Sequence, residues 1–74
     1  MTVAPPLPRN AARSREQILD AAESVFAQKG YEATSLQEVG LKAGLSRGAP
    51  GYFFGSKADL YQAVLERSSA EALE

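Results

Sequence analysis

"GLSRGAPGYFFGSK", residues 44–57, is the stretch on which the reading of this chain turns. Four glycines and a proline in fourteen residues have the composition of a loop. The aromatic run Tyr52-Phe53-Phe54 inside it instead points to a short helix that packs against something. A phosphate-cradling P-loop is excluded by order. That motif places lysine directly after its second glycine, with Ser or Thr following and a strand before, whereas here the order is Gly55-Ser56-Lys57. Gly48-Ala49-Pro50-Gly51 matches the GxxG of single-strand RNA-binding KH modules, but that domain needs strands and the chain has no alternating pattern.

Read as a helix, the segment takes Ser46 as N-cap and Arg47 as first residue, with Pro50 in or just past the first turn. Its glycines cost about 2–3 kcal/mol of helix propensity. Burying Leu45, Phe53 or Phe54 returns roughly 1.5–3 kcal/mol each, so packing can hold it. With about 100° of rotation per residue, Pro50 and Phe54 turned to the core leave Gly48 and Tyr52 outward, flanked by Gly51 and Phe53. Arg47 projects from the tip. Such a face lets a helix backbone approach a partner closely, as a major groove requires.

Upstream, "SREQILDAAESVFAQKG" pairs Ser14 with Gln17 in a capping-box spacing, and Ile18, Ala22, Val25 and Phe26 recur at helical intervals. Helix one therefore starts at Ser14 and stops at Gly30. "YEATSLQEVGLKAG" repeats the device with Ser35 and Glu38, followed by the apolar face Leu36, Val39 and Ala43 and a stop at Gly44. Two short helices joined by a glycine turn are the parts of a helix-turn-helix. Gly40 falls where they come close and a side chain would be in the way. A fourth helix opens at Ser56 and carries Leu60, Tyr61, Val64 and Leu65 in a 3-4 stripe.

With 74 residues and no cysteine, the chain makes one small domain stabilised by packing alone. A hydrophobic fraction of 45% is too high for disorder throughout. No apolar run reaches the ~20 residues of a membrane span, and "MTVAPPLPRN" has prolines where a signal peptide needs an apolar helix. An intracellular, cytoplasmic protein is expected. The net charge of −1 hides polarity: residues 1–15 hold Arg9, Arg13 and Arg15 and residues 39–58 hold Lys42, Arg47 and Lys57, both without an acid. Two basic patches suit a polyanion. The division expected is a flexible basic arm at 1–13, a three-helix domain at 14–55 and the start of a connecting helix at 56–74.

From about Arg15 to Val64, without a gap, the sequence resembles the N-terminal DNA-binding domain of the tetracycline-repressor (TetR) family of bacterial transcription regulators. The resemblance rests on Ile18-Leu19, Ala21-Ala22, Phe26, Gly30-Tyr31, Thr34-Ser35, Ala43-Gly44-Leu45-Ser46, Gly48, Phe54, Ser56-Lys57 and Leu60. It implies an all-α, homeodomain-like helix-turn-helix with helix three in the major groove and helix four leading to a larger domain that the chain does not contain. By position it implies groove-facing roles for Gln37, Arg47, Gly48, Gly51 and Tyr52. Ser35, Ala49, Phe53 and Lys57 fall at sites that touch phosphates. The expected partners are double-stranded DNA with a palindromic operator, a second copy through the C-terminal domain and a small-molecule effector in that domain. The chain departs from the family at Gly51, where a tyrosine is usual, at Pro50, where an aliphatic is, and at Gly40, a small-for-small exchange with alanine.

The residues support these roles independently. Gln37 can bond adenine and Arg47 guanine, each bidentately, and Lys57 lies at a helix start that already favours phosphate. Arg9, Arg13 and Arg15 can follow the backbone or enter a minor groove. No cofactor or metal is expected, and without histidine or cysteine no catalytic site. The alternative is a small helical protein-interaction module.

Overall fold

A computed structural model of the chain describes residues 9–72, with side chains from 10 to 70. Four helices follow one another: α1 (Arg9–Lys29), α2 (Leu36–Lys42), α3 (Ala49–Phe54) and α4 (Lys57–Ala72). The described residues form no strand, and the fold is all-α with a helix-turn-helix at α2–α3. α1 is the spine. Its stripe Ile18, Leu19, Ala21, Ala22, Val25 and Phe26 is buried against Val39 of α2, Pro50 of α3 and Leu60 and Val64 of α4.

Two expected helix starts are corrected. α1 begins at Arg9, so the part of the expected arm from residue 9 to 13 is helical, and Ser14 is a half-buried residue within the helix rather than its cap. Asn10-Ala11-Ala12-Arg13 contains no proline or glycine and two of the best helix formers, so nothing stops the helix at Ser14. The rest of the expected arm lies outside the described residues. α3 begins at Ala49 with Gly48 as N-cap, two residues later than a Ser46 cap gives. Proline decides this. A helix capped by Ser46 would require the N–H of residue 50 for the Ser46 carbonyl, and Pro50 has none. Starting at Ala49 places Pro50 in the first turn, where no such bond is due. Ser46-Arg47-Gly48 is left as a turn closed by Ala49 N–H on the Ser46 carbonyl at 3.2 Å.

The other signals hold. Ser35 and Glu38 form the complete capping box of α2, with Glu38 N–H on Ser35 Oγ at 3.2 Å and Ser35 N–H on Glu38 Oε1 at 2.9 Å. α2 ends in a Schellman turn. Gly44 takes φ +80°, its N–H bonds the Leu41 carbonyl at 3.0 Å and the Leu45 N–H bonds the Gly40 carbonyl at 2.9 Å. Ser56 caps α4, accepting from Asp59 N–H at 3.1 Å and donating to Asp59 Oδ2 at 3.0 Å.

At Gly40 the two helices of the motif meet. A Cβ there would collide with the Ser46 carbonyl oxygen and stand 3.0 Å from Pro50 Cδ. The expectation of a close approach is met, but the exchange with alanine is not neutral here: this backbone has no room for a methyl group.

Candidate nucleic-acid interface

α3 sorts its residues as the helical rotation demands. Pro50 is fully buried, Ala49, Phe53 and Phe54 are half-buried against the core, and Tyr52 stands 85% exposed. Of its neighbours on the outer side, Gly48 is exposed and Gly51 half-exposed. The six glycines divide cleanly. Gly30, Gly44 and Gly55 have positive φ, and Gly40 has no space; these four the fold itself requires. Gly48 and Gly51 have neither reason. A Cβ on Gly48 would meet nothing within 4 Å, and one on Gly51 would make ordinary contact with Leu36 Cδ1 at 3.9 Å.

That proximity of Leu36 and Gly51 sets the start of α2 against the middle of α3. Ser35 and Gln37, on either side of Leu36 in the chain, are both exposed. The Ser35 oxygen serves the cap, which leaves its hydroxyl proton free to be donated. Arg47 is exposed in the turn before α3 and pairs with no carboxylate among the described residues.

Lys57 is held rather than free. Its Nζ donates to the Tyr31 carbonyl at 2.8 Å and reaches the Glu32 carbonyl at 3.5 Å, and it sits 4.4 Å from the centre of the Tyr31 ring. An ammonium has three protons, so a further acceptor can still be met. Tyr31 is therefore the platform that aims Lys57. Its ring closes a trio with Phe26 and Tyr61, at centroid distances of 5.8 and 5.1 Å. Lys57 and Tyr31 lie 26 positions apart, and no periodic signal between them could have disclosed the pairing.

A second missed pair governs the charge at the start of α2. Lys29 Nζ lies 2.7 Å from Glu38 Oε2, across the α1–α2 loop. This bond, then the Ser35 N–H on the same carboxylate, lowers the Glu38 pKa from its ordinary 4.5. The one acid of α2 is thereby neutralised by a neighbour. Thr34, buried between, donates to the Gly30 carbonyl at 2.7 Å and fixes the loop.

Of the basic residues of α1, Arg13 is exposed. Arg15 lies 5.0 Å over the Phe54 ring and 3.8 Å from Glu16, so it is already engaged. The side chain of Arg9 is outside the described residues. Ala49 and Phe53 present no polar group.

The comparisons with known proteins give the family. The sequence model of the family described as "Bacterial regulatory proteins, tetR family" matches residues 18–64, from the middle of α1 into α4. The chain belongs to the TetR family. It is similar to the "HTH-type transcriptional repressor BepR" of Brucella suis biovar 1 (strain 1330), at 41% identity over 58 residues, covering 78% of this chain and 28% of that protein. It is similar also to the "HTH-type transcriptional regulator AcrR" of Shigella flexneri, at 39% over 62 residues, 84% of this chain and 29% of the relative. A third relative is the "HTH-type transcriptional activator FasR" of Mycolicibacterium smegmatis (strain ATCC 700084 / mc(2)155), at 43% over 61 residues, 82% and 27%. The chain thus spans less than a third of the length of these curated relatives. No solved structure matches it. No helix among the described residues is long and apolar enough to cross a membrane.

Proposed function

We propose that this TetR-family chain binds double-stranded DNA sequence-specifically, with α3 in the major groove, as the DNA-reading part of a cytoplasmic transcriptional regulator, most simply a repressor. The observation that carries the reading is Gly51, beside an open Gly48 at the cap of α3. Gly51 lies inside α3, where glycine costs about 1 kcal/mol relative to alanine, and this fold has space for a methyl there. The requirement for bare backbone then comes from outside the domain, and a groove that admits a helix with little clearance supplies it. Gln37 and Arg47 read base edges, Tyr52 faces the groove between them, and Ser35 and Lys57 hold phosphates. The operator is palindromic and is met by two copies joined through a C-terminal domain, which also takes a small-molecule effector. The helices α1 to α3 form the DNA-binding unit, and the segment from residue 56 is the connection to that domain. The enzymatic reading has no support, since the similar proteins are named as regulators.

Titration of a labelled duplex pool at increasing salt tests it. Log affinity should fall linearly with log salt, with a slope set by the phosphates neutralised. An affinity indifferent to salt between about 50 and 200 mM would leave a protein-interaction module as the better account.

A further inference from the structure

Resting on the DNA-binding reading, we infer that Tyr52 selects a thymine in each half-site by apolar contact with its C5-methyl group. Tyr52 is the most exposed of the large hydrophobic side chains described, at 85%, against 55% for Leu41 and 44% for Leu65. Its one aromatic neighbour is Phe53, in an edge-to-face contact at 5.3 Å. No hydrogen bond from its hydroxyl occurs among the described residues. Gly48 is one helical turn before it and Gly51 is adjacent, so no side chain on that side of α3 competes for the surface beneath a docked base pair.

The chemistry of this face is almost wholly apolar. Between Arg47 in the preceding turn and Lys57 in α4, the outer side of α3 offers one hydroxyl and no amide, guanidinium or carboxylate. It therefore cannot supply the bidentate pattern that distinguishes guanine or adenine, nor an acceptor placed for the cytosine amine. Thymine is the one base that displays an apolar group in the major groove, and an aromatic ring is its complement. With only two side-chain torsions, and Phe53 against its edge, the ring loses little freedom on docking.

The test starts from duplexes selected out of a random-sequence library by the 74-residue chain at about 50 mM salt. Each thymine is then replaced in turn by deoxyuridine, which keeps the pairing and the O4 acceptor and removes only the methyl. One thymine per half-site should weaken binding about fourfold when demethylated, the equivalent of the ~0.8 kcal/mol of one buried carbon group. Tyr52→Phe should keep that sensitivity and Tyr52→Ala should lose it; the exposed position makes either variant safe for the fold. At the same site 5-methylcytosine should bind more tightly than cytosine. Salt-dependent binding in which no thymine is sensitive, or in which Tyr52→Ala remains equally sensitive, overturns the inference and leaves the DNA reading standing. Failure to enrich any duplex, with no salt dependence, overturns both.

Discussion

Gly40 and Pro50 occupy each other's space: the Cβ that any other residue would bring to position 40 would stand 3.0 Å from Pro50 Cδ while striking the carbonyl of Ser46. Both positions depart from the residues that the family resemblance implies, and they depart together. A ring at 50 that fills the gap between α2 and α3 is matched by the absence of a side chain at 40. Gly40→Ala is expected to destabilise the domain by about 1–3 kcal/mol, the usual cost of overpacking, despite a gain of about 1 kcal/mol in helix propensity. In thermal unfolding that is a fall of at least ~4 °C. A variant as stable as the parent would disprove the close approach.

Gly51→Ala should act in the opposite sense on the fold. Its new methyl makes an ordinary contact with Leu36, and the backbone gains about 0.5–1 kcal/mol on folding. Denaturant midpoints should rise while affinity for DNA falls. If affinity is unchanged or improves, Gly51 does not face the groove.

Lys57→Ala should weaken binding to all duplexes alike and lower the salt slope by about one, as the loss of a phosphate contact does. Arg47→Ala and Gln37→Ala should relax preference at single base pairs, by ~1–3 kcal/mol each. Competition between selected and scrambled duplexes separates the two patterns. An equal loss on every duplex from Arg47→Ala would make that residue a phosphate contact.

Glu38 contributes stability that depends on acid. Its folded pKa is lowered by Lys29 and by the Ser35 N–H, so the contribution is complete above the ordinary 4.5 and is lost as pH falls through the lower folded value. Glu38→Gln should flatten the stability profile in that acidic window and leave the slope near neutrality untouched. Urea midpoints taken across the range report it.

What the sequence disclosed depended on how far apart the interacting residues lie. The Ser35–Glu38 cap, the Gly44 turn and the Ser56 cap are local patterns, three or four residues long, and each is present as read. The Ser14–Gln17 spacing is equally good as a pattern, yet the helix runs through it, because a cap signal only stops a helix if the residues before it cannot continue. α3 starts later than its cap signal for a related reason: Ser46 is a fitting cap, but Pro50 sets the register. Within the candidate site, the exposure of Tyr52 follows from helical rotation, whereas Arg47 is exposed because it lies in the turn before α3. The holding of Lys57 by Tyr31 and of Glu38 by Lys29 joins residues 26 and 9 positions apart, and only the packing of α4 and α2 on α1 creates them.

Arg67 joins α4 to α1 through three carboxylates, Glu16 at 3.1 Å, Asp20 at 2.9 Å and Glu23 at 3.0 Å. The guanidinium is 19% exposed, but its partners are 59%, 74% and 52% exposed, so this junction is itself open to mobile ions. A salt titration of DNA affinity consequently reads two processes on one axis. At low ionic strength the slope counts phosphates; as the screening length shrinks from ~10 Å at 0.1 M toward ~3 Å at 1 M, loosening of the junction adds curvature. A variant lacking Arg67 should straighten that curve, and its remaining slope is the truer count of the contacts made with DNA.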